Sequence, residues 1–337
     1  MLLYHKFAQA GLSSAAAQGI IKLMSMQVQH DAPARFPVDL HTHTSASDGS
    51  DTPAELVAEA RRRGVVVLGI TDHDSVAGLD AALDAGRAQG IEIVPGVELS
   101  IANQPERDFM ELHLLGYGID HHEPALVAAL QRAAEARLEQ KLASVRKLQS
   151  LGFDVPEAEV LALAGAGVLG RAHIAQVALA RNPGRFRDAE QIFREYISPG
   201  GLAYVPRAHQ IVLEEGIQLI LQAGGAPVLA HPASYRQVRQ PAAMVRRAAA
   251  LGIAGLESRY PYDKTRPHFG AGASEPADLI SYYSDLGRSL GLGMTGGSDY
   301  HGRRKNVALG EQGLTLEEYA AWREYAGAVR RPRSRRE

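Results

Sequence analysis

The chain has 337 residues, enough to bury a substantial core in one large domain or two smaller ones. Its composition is 45% hydrophobic and 22% charged with a net charge of -2, which argues against a nucleic-acid coat protein or a membrane-surface protein. The sequence contains no cysteine, so disulfides, cysteine-ligated zinc and thiol nucleophiles are excluded. We therefore expect a protein of the reducing cytoplasm.

The first 36 residues do not have the features of a membrane anchor. Lys22 interrupts the mildly apolar stretch from Leu12 to Met26, so no run reaches the roughly 18 apolar residues that a membrane span requires. The segment also lacks the basic start and clean apolar core of a signal peptide. We expect residues 1–36 to form a weakly structured or helical N-terminal extension.

A short apolar segment, 36–40, predicts a strand that leads into His41 and His43. Side chains two residues apart on a strand point the same way, so both imidazoles should face one side at the strand's end. Asp48 and Gly49 then turn the chain, and Thr52-Pro-Ala-Glu55 has the pattern of a capped helix start. Two imidazoles and a carboxylate at one corner indicate a metal site, with surface histidines near a turn as the alternative.

Strand and helix patterns alternate over residues 37–120 and again over residues 209–312. Unbroken apolar runs such as 65–70 predict strands buried on both faces of a parallel sheet. About seven such strands with polar residues at their ends favour an α/β barrel over an open sheet. In chain order, the predicted elements are a strand at 36–40, a helix at 53–63, a strand at 65–70, a helix at 75–89, strands at 91–99 and 110–117, helices at 123–150, 156–164, 171–180, 188–197 and 213–223, a strand at 226–230, a helix at 241–251, a strand at 253–257, a helix at 275–290, a strand at 292–296 and a helix at 316–326.

The alternation stops between residues 121 and 208, where only helical patterns occur. The longest of them places Leu126, Leu130 and Leu138 on one face and charged residues on the rest. We expect this segment to be a helical insertion that caps the barrel. Residues 313–337 should form a C-terminal helix and an Arg-rich tail, a composition typical of solvated chain ends, with RNA contact as the alternative.

Nine ionisable residues lie inside or just after predicted strands, and six of them are histidines. Strand ends of a βα barrel converge on one face, where catalytic groups collect. Imidazole and carboxylate ligands without thiolate favour Mn²⁺, Fe²⁺ or Zn²⁺. Nine ligands suit three ions if one carboxylate bridges two of them, and such a cluster serves hydrolysis by activating a bridging water and clamping phosphoryl oxygens. The nine residues are His41, His43, Asp48, His73, Glu98, His113, His231, Asp299 and His301.

These residues stand in motifs whose order resembles the PHP (polymerase and histidinol phosphatase) superfamily. The resemblance implies a distorted seven-stranded (β/α) barrel with an inserted all-helical subdomain and a trinuclear site, filled by Mn²⁺ or alternatively by Zn²⁺ or Fe²⁺. The motifs are His41-Thr-His43, Asp48-Gly49, Thr71-Asp-His73, Pro95-Gly-Val-Glu98, His113, Ala230-His231-Pro232 and Gly297-Ser-Asp299-Tyr-His301.

The resemblance also implies a role for each ligand. His41, His43, Glu98 and Asp299 would hold one ion. Glu98 would bridge to a second ion that is also bound by His113 and His231. Asp48, His73 and His301 would hold the third. We expect the catalytic work to fall on the following members of this set: Asp48, His73, Glu98, His231 and Asp299.

Within the superfamily, the insertion resembles that of a subgroup that acts on 3',5'-nucleoside bisphosphates and on the 5' ends of short RNA. Gly170-Arg171-Ala172-His173 is similar to a Gly-Arg-Pro-His element of that subgroup, with Ala172 in the proline position. We expect Arg171 and His173 to bind substrate phosphate. A phosphatase of the histidinol-phosphate type, acting on small phosphomonoesters, and a non-catalytic metal-bound scaffold are the alternatives. The sequence leaves the oligomeric state open.

Overall fold

The computed structural model describes residues 33–164, 169–265 and 276–330. Most of the predicted N-terminal extension and the last residues of the Arg-rich tail lie outside these ranges. The strands are β1 (Val38–Asp39), β2 (Val67–Ile70), β3 (Glu92–Ser100), β4 (His113–Tyr117), β5 (Ala226–Leu229), β6 (Gly255–Arg259) and β7 (Gly293–Gly296). The helices are α1 (Pro53–Arg63), α2 (Leu79–Gln89), α3 (Pro124–Ser150), α4 (Glu157–Ala164), α5 (Arg171–Arg181), α6 (Ala189–Ile192), α7 (Leu213–Gln222), α8 (Pro241–Ala250), α9 (Pro276–Ser289) and α10 (Leu316–Arg330).

The seven strands form one sheet in the order of the chain, from β1 to β7. Hydrogen bonds between the segments that follow β1 and β7 bring the two edges of the sheet together. The backbone N–H of Asp299 donates to the carbonyl of His41 at 2.8 Å, and that of His43 donates to the carbonyl of Tyr300 at 2.9 Å. The sheet is therefore a nearly closed barrel, which confirms the predicted fold class.

The prediction of a parallel sheet is wrong at β4, which runs antiparallel to both β3 and β5. The connection from β3 to β4 spans only residues 101–112 and contains no α-helix. A parallel pair needs a crossover of about a dozen residues or more, usually an α-helix, so a connection at this lower limit without an α-helix favours a reversal of the chain. As a result His113, the first residue of β4, pairs with Ser100, the last residue of β3.

The helix after the first histidine pair forms for reasons that are visible in its sequence. The Thr52 side chain accepts from the backbone N–H of Glu55, while the Glu55 carboxylate accepts from that of Thr52, a complete capping box. Pro53 occupies the first helical turn, and Gly64 ends α1 in the left-handed conformation at φ 82°. The boundaries predicted for this helix are confirmed.

The C-terminal helix α10 covers one end of the barrel. Trp322 belongs to the apolar cluster that fills the barrel interior, and its ring meets that of Tyr117 edge-on at 6.0 Å. The Tyr319 hydroxyl donates to the Glu92 carboxylate, at the first residue of β3, over 2.7 Å. Glu98 lies toward the other end of β3, so α10 and Glu98 mark opposite ends of the barrel.

Helices α3 to α6 contain a second apolar cluster, separate from the barrel core. Its members include Val145, Val160, Ile174 and Ile192. The N-terminal half of α3, including Leu126, packs instead with the large apolar cluster that the barrel strands form with their surrounding helices. These two clusters support the division at 121–208, which stays a prediction. No helix in the described part of the chain is long and apolar enough to cross a membrane.

Candidate metal centre

His41 and His43 lie where β1 ends, and both are fully buried. Their Nε2 atoms approach to 3.1 Å, so the two imidazoles do face one side as the strand pattern predicted. A glycine makes this arrangement possible, because a Cβ on Gly297 would lie 2.3 Å from the His41 Cβ. The backbone after β7 can therefore approach His41 this closely because residue 297 has no Cβ.

Glu98 and Asp299 complete the first donor group. Glu98 Oε2 lies 3.2 Å from Nε2 of both His41 and His43. Asp299 Oδ1 lies 3.2 Å from His43 Nε2 and 3.6 Å from His41 Nε2. Ligands at zinc-type bond lengths around one tetrahedral ion stand about 3.4 Å apart. The four residues predicted to share an ion thus surround one point.

The other oxygen of Glu98 faces a different pair of imidazoles. Oε1 lies 2.8 Å from His113 Nδ1 and 3.1 Å from His231 Nε2. The reversed direction of β4 is what places His113 at this end of the barrel. One carboxylate therefore addresses two donor groups, one with each oxygen, which is the geometry that a bridging ligand needs.

The third predicted group is more open to solvent. Asp48 Oδ1 lies 3.2 Å from His301 Nε2 and 4.0 Å from His73 Nε2. The Asp48 side chain is 52% exposed, whereas His301 is buried. His43 adds a donor atom to this group, within 4.8 Å of the other three. It stands between the first and third groups, a placement that the sequence did not indicate.

The ligand atoms of this centre lie close together, but they do not satisfy one another by hydrogen bonds. Glu98 Oε2 lies 3.0–3.2 Å from nitrogens of His41, His43 and His73, yet it accepts no hydrogen bond from the described residues. A buried carboxylate oxygen without a partner is costly. Lone pairs that converge on a common space are satisfied by a divalent ion, and this imidazole and carboxylate set suits Mn²⁺, Fe²⁺ or Zn²⁺.

The electrostatics of the group follow from burial and from close opposite charges. Burial alone would raise the pKa of Glu98, but His73, His41 and His113 hold that pKa well below its usual value. Burial lowers the pKa of His43, and the neighbouring imidazoles of His73 and His301 lower it further. For His73, burial lowers the pKa, but the combined attraction of Glu98, Asp48 and Asp299 is larger and raises the pKa to about 9. Without metal, protonated imidazole therefore neutralises part of the carboxylate charge, and metal binding would release these protons.

Glu257 is a site residue that the sequence analysis left outside the ligand set. It is fully buried in β6. Its Oε1 lies 3.0 Å from His41 Nδ1, and its Oε2 accepts from the backbone N–H of His231 at 2.9 Å. Glu257 therefore orients two predicted metal ligands and is not itself a member of the ligand set. The available signal was a carboxylate at the end of an apolar strand, 253–257, because a charge in that position requires a polar partner.

Asp299 is also held from outside the donor group. Its Oδ2 accepts from the Tyr260 hydroxyl at 2.8 Å and pairs with the Lys305 ammonium at 2.7 Å. Its backbone has a φ of 56°, a left-handed conformation that is uncommon for a residue other than glycine. These contacts direct Oδ1 toward the histidines. Neither Tyr260 nor Lys305 was among the predicted site residues.

Two adjoining cavities lie beside the candidate metal centre. The first, of about 560 Å³, is lined by His73, Glu98 and Asp299 and also by Arg171 and Arg207. The second, of about 640 Å³, has Lys141 in its wall and shares Arg171 and Arg207 with the first. The two cavities therefore meet at this pair of guanidinium groups, between the barrel and the insertion.

The predicted phosphate ligands Arg171 and His173 have different surroundings. Arg171 is the first residue of α5, and its guanidinium donates to the Ser198 hydroxyl at 3.1 Å. His173 Nδ1 accepts from the backbone N–H of Gly170 at 3.1 Å and so caps the same helix. Arg171 lines both cavities, whereas the His173 contact is one that stabilises the helix start. Their roles in binding substrate stay predictions.

A nearly closed α/β barrel with histidines and carboxylates converging at one end defines a metal-dependent hydrolase. The PHP domain model matches residues 39–201. The chain is 31% identical to a 3',5'-nucleoside bisphosphate phosphatase from Chromobacterium violaceum over 280 residues, 78% of this chain and 87% of the relative. It is 31% identical over 266 residues to a phosphoribosyl 1,2-cyclic phosphate 1,2-diphosphodiesterase from Eggerthella lenta, covering 79% of this chain and 94% of the relative. This chain belongs to the PHP domain family of metal-dependent phosphoesterases.

Further relatives agree with this assignment. A 5'-3' exoribonuclease from Haemophilus influenzae is 36% identical over 197 residues, 58% of this chain and 69% of the relative. A solved structure from Bifidobacterium adolescentis, assigned as a metal-dependent phosphoesterase, has a TM-score of 0.69 at 26% identity and covers 87% of this chain and 98% of that one. An amidohydrolase from Chromobacterium violaceum, solved with bound sulfate and no metal, has a TM-score of 0.65 at 28% identity, covering 86% of this chain and 96% of that one.

Proposed function

We propose that this enzyme hydrolyses a phosphate ester of a substrate that carries a second phosphate. The substrate class is a 3',5'-nucleoside bisphosphate, another nucleotide or the 5' end of a short RNA. The observation that carries the proposal is the basic second cavity that opens directly from the predicted metal centre. The relatives support the same chemistry, since their names specify a nucleoside bisphosphate phosphatase, a phosphoribosyl cyclic phosphate diphosphodiesterase and an exoribonuclease. The lack of cysteine is consistent with a cytoplasmic setting.

The proposed centre holds three divalent ions, with Mn²⁺ as the first choice and Zn²⁺ or Fe²⁺ as alternatives. Such ions lower the pKa of a water molecule and neutralise charge on a phosphoryl group. Glu98 would bridge two of the three groups, because its two oxygens address different imidazoles. His231 lines the first cavity, and Asp48 is the exposed member of the third group, so both would position the phosphoryl group against the remaining ligands. The proposal gives each of the nine predicted ligands a place in one of the three groups.

The second phosphate would bind where the two cavities meet. Lys141, Arg171 and Arg207 bring three cationic groups to the wall of the second cavity. The ammonium of Lys141 donates to the neighbouring Gln140 amide oxygen at 3.1 Å, a neutral partner. Burial, together with repulsion by Arg171, Arg207 and Arg137, lowers the pKa of Lys141 to about 8. Crowded cations of this kind are stabilised when an anion binds between them.

Arg171 is suited to this role by its position as well as its charge. It stands at the first turn of an eleven-residue helix, where backbone N–H groups and the helix dipole favour anions. Its guanidinium can bind a phosphate through two parallel hydrogen bonds, which a lysine cannot do. A phosphate at this position would leave the first cavity free for the ester that is hydrolysed.

The two alternatives make different demands on the molecule. A small phosphomonoester such as histidinol phosphate would fill the first cavity and leave the basic second cavity without a function. A non-catalytic scaffold would not require nine ligands that converge within hydrogen-bonding distances. The proposed bisphosphate or 5'-phosphorylated substrate uses both cavities.

The experiment compares substrates with and without a second phosphate. Arg171→Ala should lower kcat/KM for a 3',5'-bisphosphate by roughly 10- to 100-fold, the effect of one charged hydrogen-bonded pair, and leave p-nitrophenyl phosphate hydrolysis almost unchanged. Arg181→Ala is the matched control, since Arg181 lies at the other end of the same helix and pairs with Asp154. Equal losses on both substrates would assign Arg171 to the fold or the metal centre instead.

A further inference from the structure

A separate group of metal-ligand side chains lies where the insertion leaves the barrel. Asp80 is in the first turn of α2, and His121 and His122 form the turn between β4 and α3. One donor atom from each residue lies within 4.8 Å of the others. We propose that these three residues bind one divalent transition-metal ion at the base of the insertion.

The geometry brings both imidazoles to a single oxygen. His121 Nε2 lies 2.9 Å and His122 Nε2 lies 3.5 Å from Asp80 Oδ1. Consecutive residues often direct their side chains apart, but here the rings lie 4.1 Å apart at an angle of 39°. The rings of His43 and His301 in the candidate metal centre are arranged similarly, with centroids 4.0 Å apart and an interplanar angle of 33°. Both pairs are arranged as two ligands of one ion would be.

The backbone holds this turn in place. Asp120 donates its backbone N–H to the carbonyl of Ala223 at 2.6 Å, and its carboxylate accepts from the backbone N–H of His122 at 3.0 Å. The His121 side chain is 12% exposed, whereas those of His122 and Asp80 are 68% and 72% exposed. One ligand is therefore fixed by its surroundings, and the open side of the group is available for water molecules to complete the coordination.

Two imidazoles and one carboxylate on one side of an ion are a recurrent ligand set for divalent transition metals. Such a set favours Ni²⁺, Zn²⁺ or Fe²⁺ over Mg²⁺ and Ca²⁺, which prefer oxygen ligands. An ion here would connect α2 of the barrel to the start of α3, the first helix of the insertion.

The test measures Ni²⁺ binding to the full-length protein and to three single variants, His121→Gln, His122→Gln and Asp80→Asn. Asp84→Asn is the matched control, because Asp84 is exposed on the same helix and pairs with Arg87. Elemental analysis after gel filtration should find one more Ni²⁺ equivalent in the wild type and the control than in the other variants. In a titration, each of those three changes should weaken binding of that equivalent by at least about tenfold, the lower end of the effect seen for residues that support metal ligands.

Two further measurements make the result decisive. Equal Mn²⁺-supported phosphatase activity in all five proteins would show that the lost Ni²⁺ equivalent was bound outside the candidate metal centre. Ni²⁺ should also raise the Tm of the wild type and the control more than that of the three variants, since the ion binds only the folded site. Equal Ni²⁺ binding by all five proteins would overturn the proposal. So would a loss confined to the histidine variants, because it would show a histidine pair without the Asp80 ligand.

Discussion

His41 Nδ1 lies 3.0 Å from Glu257 Oε1, although the two residues are 216 positions apart in the chain. A ring N–H that donates to a buried carboxylate fixes the tautomer of the imidazole and leaves the other nitrogen free to bind a metal. That other nitrogen, Nε2, faces Glu98 and His43. The same Glu257 side chain accepts from the backbone of His231, so it orients predicted ligands of two different ions.

Replacing Glu257 by Gln tests this relationship. We expect metal affinity to fall by about 10- to 100-fold, as for other carboxylates that support a histidine ligand, with activity recovered at high metal concentration. Metal content after dialysis against a weak chelator measures the effect. Glu318→Gln is a control at a carboxylate that pairs with Arg259, the last residue of the same strand. Unchanged metal retention in the Glu257 variant would contradict the positioning role.

Removal of metal should abolish phosphatase activity. The predicted ligands converge on shared spaces, and within the described residues the buried atoms Glu98 Oε2 and His43 Nδ1 have no hydrogen-bond partner. We expect bound ions to activate the attacking water and to neutralise charge on the phosphoryl group. Protein stripped with a chelator should regain activity with Mn²⁺, or with Zn²⁺ or Fe²⁺. Full activity in protein that elemental analysis shows to be free of metal would disprove the dependence.

Glu98→Gln should cost more than any other single ligand substitution, because both carboxylate oxygens face donor groups. We expect the loss of at least one metal equivalent and a fall in kcat on the order of 10³-fold, equivalent to about 4 kcal/mol in the activation free energy. His301→Gln, which should affect only the third group, is the comparison. A Glu98 variant with full metal content and near-normal turnover would contradict the bridging role.

Binding of the second phosphate should weaken as pH rises through about 8. The Lys141 ammonium is surrounded by Arg171 on α5, Arg207 near the end of the insertion and Arg137 on its own helix. Burial together with this repulsion lowers its pKa to about 8. Below that pH the protonated form attracts the phosphate, and above it the charge is lost. From pH 7 to 9 the KM for a bisphosphate should rise by up to about tenfold, the change in the protonated fraction of a group with that pKa. Lys141→Met should remove this rise, and the KM for p-nitrophenyl phosphate should not show it.

The ion pair between Asp74 and Arg137 should couple the insertion to the metal centre. Asp74 follows His73, and its Oδ1 accepts from the backbone N–H of Ser100 at 2.7 Å while its Oδ2 pairs with the Arg137 guanidinium of α3. Asp74→Asn and Arg137→Met should each lower kcat/KM for a bisphosphate about tenfold, and the double variant should lose little more, a coupling of about 1 kcal/mol. Arg132→Met, on the same helix, is the control. Additive losses would show that the pair does not act as a unit.

Local sequence patterns were sufficient to predict most elements of the fold. The capping box of Thr52 and Glu55 places the start of α1, and the apolar runs place β2 and β5 to within two residues. Such signals need only neighbours in the chain, since capping, period and turn residues act within a few positions. The direction of β4 was wrong because it depends on how the short connection from β3 folds back.

The candidate site also contains residues that the sequence predicts and residues whose role depends on contacts between distant segments. The motifs identified His41, His43 and Asp299, because strand ends of a barrel must converge wherever each strand lies in the chain. They did not identify Glu257, whose role depends on a contact with His41 across 216 residues. Lys141 was also missed, since on α3 it is one of several charged residues until the fold places it beside Arg171 and Arg207.

The sequence by itself determined which residues can bind metal, through their chemistry and their place at strand ends. Only the tertiary structure decided which carboxylate supports them and which cations meet in the second cavity, because those relationships exist only between segments that are distant in the chain.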